Sequence, residues 1–117
     1  MDTVYIASNT SFPDLLKIGM TTRTAEEHIK SLSNTSVPTP FMLEAAIETF
    51  DGLVVQQLAH KILAKHRVTP SREFFKCTVE EAETAIRRAT MVHDAGVWQR
   101  ALDVLATPAQ PPSDPYA

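Results

Sequence analysis

Two short apolar runs, parted by a polar loop and followed at once by a helix-capping sequence, constrain this chain more than any other feature. Val4-Tyr5-Ile6-Ala7 alternates as a strand does, with Val4 and Ile6 on one face and Tyr5 on the other. Leu15 to Met20 repeats the pattern: Leu16, Ile18 and Met20 share a face, and Lys17 and Gly19 share the opposite one. The seven residues between, Ser8 to Asp14, have loop composition. Antiparallel pairing in a suitable register brings Tyr5, Lys17 and the bare backbone of Gly19 together on one polar face. Thr24-Ala-Glu-Glu27 then opens a helix carrying His28, Ile29 and Leu32, because Thr and Glu at this spacing cap each other's backbone.

The remainder reads as alternating short elements. Ser33 to Pro40 holds two prolines and is a loop, and Phe41 to Phe50 is a third strand with Phe41, Leu43, Ala45 and Ile47 on one face. Leu53 to about His66 has helical spacing, with Val55, Leu58, Ala59 and Ile62 on the buried stripe and Gln56, His60 and Arg67 on a polar one. Val68 to Ser71 is a turn, and Arg72 to Cys77 a short extended segment. A second capping box, Thr78 to Glu81, opens a third helix to about His93; Gly96 is expected to break it before a fourth, Val97 to Leu105. Thr107 to Ala117 contains four of the eight prolines and reads as a disordered tail. The expected fold is α+β: a small, mainly antiparallel sheet of three to four strands, helices against one face, and a C-terminal helical extension. Residues 1–82 form the domain, 83–106 its extension and 107–117 the tail.

A chain of 117 residues is long enough for one core. No apolar run approaches the roughly 20 residues that span a bilayer, and the N-terminus has no basic-then-apolar leader pattern. Cys77 is the single cysteine, so an internal disulfide is excluded and a cytoplasmic setting is the expectation. The net charge of −3 argues against a protein that coats DNA. The charges are uneven, however. Lys61, Lys65, Arg67, Arg72 and Lys76 fall within sixteen residues with Glu73 the lone acid among them, which makes Lys61, Lys65, Arg67 and Arg72 the candidate DNA contacts.

Hairpin, capped helix, and the order of Val4-Tyr5-Ile6, Lys17-Ile18-Gly19 and Thr21-Thr22-Arg23 resemble the GIY-YIG nuclease superfamily. The likeness is to its compact phage and bacterial branch, whose second motif reads Lys-Ile-Gly. Pro38 to Phe41, His60 to Arg67 and Arg72 to Phe75 extend it over roughly residues 3 to 82. The resemblance implies a DNA endonuclease in which a first-motif tyrosine helps activate water, a helix arginine binds the phosphate, and a glutamate from a later helix holds one divalent ion, Mg or Mn. Tyr5 matches the tyrosine, and Lys17 matches the branch's second motif and would contact phosphate.

Two positions depart from the pattern. His28 stands where the resemblance expects the arginine, and a mostly neutral imidazole does not replace a guanidinium. Arg23, five residues earlier, is the substitute within reach. On the second helix His60, flanked by Gln56, stands where the carboxylate is expected. Glu73 is then the candidate metal ligand, with His60 as base or second ligand. These departures leave two readings: a metal-dependent DNA endonuclease, or a catalytically degraded relative that binds nucleic acid or a protein partner, as in phage regulation or blocking of a host factor.

Overall fold

The structure, a computed structural model, describes residues 1–33, 36–69 and 72–106, without side-chain placement at 98, 99, 101, 102 and 104–106. Its elements in chain order are β1 (Asp2–Ser8), β2 (Leu16–Thr21), α1 (Ala25–Leu32), β3 (Met42–Thr49), α2 (Gly52–Ile62), β4 (Phe74–Phe75) and α3 (Val79–Ala106). One sheet, ordered β3-β1-β2-β4 and antiparallel throughout, gives the expected α+β class. The hairpin register is the one the site needs, with Tyr5 opposite Gly19 and Ala7 opposite Lys17.

Helices lie on both faces of this sheet, where one face was expected. Val4, Ile6, Leu16, Ile18 and Phe75 pack on Val55 and Ala59 of α2, on Leu63 just past its end, and on Ala82, Ala85, Ile86 and Ala89 of α3. On the other face Tyr5 and Ala7 pack on Ala25 and Ile29 of α1, with Leu32, Phe41 and Leu43 at the margin. The cause is in β1: residues Thr3 to Ala7 are all buried, so this strand has no polar side to leave in water.

A β-bulge explains why Leu43 changes sides. Ile6 faces Ala45 while Ala7 faces Leu43, so Glu44 is an extra residue on β3. Leu43 therefore joins the α1 cluster, whereas Ala45 and Ile47 join the other. The simple alternation expected for this strand fails at that point.

Both capping boxes form. Thr24 Oγ1 accepts the Glu27 N–H at 3.2 Å, and Thr78 Oγ1 accepts that of Glu81 at 3.0 Å. The Asp51 carboxylate caps α2 by accepting the Val54 N–H. That helix ends at Ile62, short of His66, and a 3-10 turn covers Ala64–His66. β4 keeps only two of the six residues expected to be extended. The expected break at Gly96 does not occur, because α3 runs unbroken to Ala106 and absorbs the fourth helix. A helical glycine costs about 1 kcal/mol against alanine, too little to stop a helix already nucleated on the core. Beyond Ala89 the face of α3 opens to solvent at Met91, Val92 and Val97. The expected tail, 107–117, lies outside the described residues. Among those described, no helix is long and apolar enough to cross a membrane.

Candidate functional site

Tyr5 is the fixed point of the site. Its side chain leaves the α1 face of β1, crosses the bare backbone of Gly19, and places its hydroxyl 3.1 Å from Nε2 of His28. A Cβ built on Gly19 would meet Tyr5 Oη at 2.5 Å and Cζ at 2.8 Å, so the glycine is the space the phenol occupies. His28 reaches the phenol because it sits one turn into α1, whose start is fixed by the Thr24 cap. Thr21 Oγ1 holds the Arg23 N–H at 3.0 Å, which sets the entry of the chain into that helix. The Arg23 guanidinium stands near enough to act electrostatically on His28.

Lys17 lies on the same face as Tyr5, two residues before Gly19, and its ammonium is 3.6 Å from the Glu73 carboxylate. The Glu73 carbonyl accepts the Ile18 N–H at 3.0 Å, which places this residue at the open end of β4. Tyr5, Lys17, His28 and Glu73 are thus gathered on one side of the sheet; His60, expected on that side with them, is not.

His60 arrives differently. It belongs to α2, on the opposite face, and reaches the strand edge with its Nε2 2.9 Å from the Ile18 carbonyl. A carbonyl only accepts, so Nε2 carries the proton, and a neutral ring keeps its lone pair on Nδ1. The imidazole completes the β2 edge where the two-residue β4 has already ended. His60 and Glu73 both line a cleft of about 670 Å³ with Gln56, Gln57, Lys61 and Arg67.

Burial, and secondarily the negative charge of Glu73, pushes the Tyr5 phenol well above its ordinary range, so it remains protonated at any working pH. The His28 imidazole is lowered, first by burial and then by Arg23 and Lys17, against a smaller upward pull from Glu73. Burial also lowers His60, opposed by its bond to the Ile18 carbonyl. Both histidines therefore take up protons at lower pH in the folded chain than in the unfolded one, which protonates them below their ordinary value of 6.5. The unfolded state then binds more protons, so stability rises with pH through this window. Stability is expected to be level above about pH 6.5 and to fall as pH drops below it. Urea midpoints from pH 5 to 8 would measure this, and His60→Gln should flatten part of the slope.

The basic cluster is divided. Lys61 and Arg67 line the cleft beside Glu73, whereas Arg72 lines a separate apolar hollow with Phe12, Leu15 and Phe74. Arg67 is also committed: its Nε–H donates to the Arg72 carbonyl at 2.9 Å, and its guanidinium lies over the Phe75 ring. Lys65 is exposed on the 3-10 turn and lines neither. Burial and the nearby Glu81 push the Cys77 thiol up to about 11, in keeping with a packing residue rather than a nucleophile. His66 has Glu81 at 4.0 Å and His93 has Asp94 at 3.2 Å.

The sequence reading missed the Ile18 carbonyl, the Thr21 hydroxyl and the role of Gly19 as a socket. Only Gly19 left a signal, since counting the hairpin register puts it opposite Tyr5. Among the described residues, no three His, Cys, Asp or Glu side chains stand close enough to form a metal cluster. Glu73 is a single carboxylate, one-third exposed, at the mouth of the cleft. It would be the one protein carboxylate of a magnesium-type site, in which one or two carboxylates hold an ion whose other ligands are water and phosphate.

Fold and site together define a small α+β module with a tyrosine-histidine pair beside a lysine-glutamate pair. The T5orf172 domain family matches residues 2–90, and the chain belongs to that family, a domain of phage origin with DNA-related associations. No curated protein and no solved structure matches the chain.

Proposed function

We propose that this chain is a GIY-YIG-like endonuclease that hydrolyses DNA phosphodiester bonds. The observation that carries the proposal is the Tyr5–His28 hydrogen bond, set between the cations Lys17 and Arg23 and the Glu73 carboxylate. A phenol with a raised pKa is a poor base alone. Paired with a neutral imidazole it passes a proton on: water gives a proton to Tyr5 Oη as the phenol proton moves to His28 Nε2. Imidazolium results, the water oxygen attacks phosphorus, and the P–O bond to one sugar oxygen breaks, the leaving oxygen taking its proton from solvent. His28 is then the proton sink, a different task from the phosphate contact its position first suggested. Lys17 and Arg23 lie where charge develops on the phosphate oxygens. Glu73 would hold the divalent ion, Mg or Mn, which supplies Lewis-acid stabilisation when bound. His60 holds the β2 edge through Ile18, and Lys61 and Arg67 face the flanking backbone.

A second reading is favoured by one observation. Tyr5 is only 1% exposed, so the phenol is sealed from solvent in this conformation. A degraded relative that binds nucleic acid or a protein without cutting would have that property. Incubating plasmid and single-stranded DNA with the protein in Mg²⁺, Mn²⁺ or Zn²⁺, beside Tyr5→Phe, separates the two. The expected result is metal-dependent cleavage that Tyr5→Phe lowers by about 10²-fold or more, the scale of a lost acid-base group. Salt-sensitive binding without cleavage would instead establish the second reading.

A further inference from the structure

We infer that the trough between α1 and β3, on the sheet edge remote from β4, docks an extended, lysine- or arginine-bearing segment of a partner protein as a fifth strand. β3 is an edge strand of eight residues, unpaired on its outer side among the described residues. Beside it run two adjoining hollows of about 460 and 610 Å³, with Glu26 lining both. The first is floored by Ile29, Phe41 and Leu43; the second reaches Ala46 and Glu48. An unpaired strand beside an apolar hollow suits strand addition, in which main-chain bonds give affinity and alternate side chains fill pockets.

Helical spacing separates this trough from the candidate nuclease site. Glu26, Ile29, Lys30 and Ser33 face the trough, while His28 and Ser31 face Tyr5 and Arg23. One helix thus divides two surfaces.

Charge selects the occupant. Glu26, Glu27 and Glu48 line the trough against Lys30 and Arg87, and Arg87 is already bound by Glu83 at 2.6 Å. Exposed Glu44 adds a further acid on β3. Such a surface repels phosphate, which keeps nucleic acid on the α2–β4 side and leaves this edge for a cationic peptide. A second copy of the chain is disfavoured, because apposed β3 strands would bring Glu44 and Glu48 of both copies together. Residues 107–117 contain neither lysine nor arginine and cannot supply the cations.

The test uses a fluorescein-labelled octapeptide of alternating valine and lysine with the full chain. Saturable binding is expected, with amide protection and NMR shifts confined to β3 and α1. Binding should weaken about tenfold or more in Glu26→Lys/Glu48→Lys, equivalent to about 1.4 kcal/mol. Glu26→Gln/Glu48→Gln should lie between and guards against loss of fold, which circular dichroism checks in both. A peptide of alternating valine and glutamate should not bind. Equal affinity for the acidic peptide or by the reversed variant, shifts centred on α2 and β4, or no binding at all would each overturn the inference. None of these outcomes depends on whether the chain cuts DNA.

Discussion

Phe75→Ala is expected to cost about 3–5 kcal/mol, the range for emptying a fully buried aromatic position. Phe75 is wholly buried on β4 beside β2, in the core cluster shared with α2 and α3, with the His60 ring 4.8 Å away and the Arg67 guanidinium over it. A domain of this size has only about 5–15 kcal/mol of stability to lose, so the melting temperature should drop by at least about 10 °C. The effect should reach the site, because β4 is two residues long and Phe75 is its anchor. Releasing it frees the Glu73 carbonyl from Ile18 and the carboxylate from Lys17. Thermal unfolding measures the first effect. Phe75→Leu, which refills most of the volume, should recover more than half of the lost stability; an equally severe loss would show that ring contacts with His60 and Arg67 matter more than volume.

Gly19→Ala should destabilise by about 1–3 kcal/mol, as overpacking does, and should also detach Tyr5 from His28. Alanine is small and β2 is extended, so backbone conformation is not the obstacle. The obstacle is Tyr5, whose Oη and Cζ already occupy the position of the new methyl group. The ring is enclosed and can yield only by turning away, which breaks the 3.1 Å bond to His28. A double-mutant cycle isolates this cause. Tyr5→Phe removes the nearest clashing atom, so Gly19→Ala should cost less when made together with Tyr5→Phe, with a coupling of about 0.5–3 kcal/mol. Additive costs would place the damage elsewhere in β2. In the nuclease reading, Gly19→Ala should also depress cleavage at temperatures where the variant is fully folded.

Local chemistry made much of the fold legible in advance. Alternation in Val4–Ala7 and Leu16–Met20 determines two strands, the Thr24–Glu27 and Thr78–Glu81 boxes determine two helix starts, and the hairpin register sets Tyr5 against Gly19. The candidate cluster of Tyr5, Lys17, His28 and Glu73 was legible for the same reason: three of its members sit on short-range elements whose faces can be counted.

Long-range packing decided the rest. The sequence of β3 alternates as a simple strand, and only pairing with β1 inserted the bulge at Glu44 that sends Leu43 to the α1 side. Gly96 is a local helix breaker whose small cost is overridden by a helix nucleated on Ala82, Ala85, Ile86 and Ala89. His60 is unremarkable on a helical wheel, yet the shortness of β4 leaves the Ile18 carbonyl open, and α2 brings the imidazole to it from the opposite face. The basic residues are close in sequence but divided in space, because Phe74 and Phe75 point to opposite faces of the sheet and carry Arg72 and Arg67 apart. Periodicity and capping act over a few residues and can be read from them. Bulges, strand ends and the partners of a buried histidine depend on contacts tens of residues apart, and those exist only once the chain has folded.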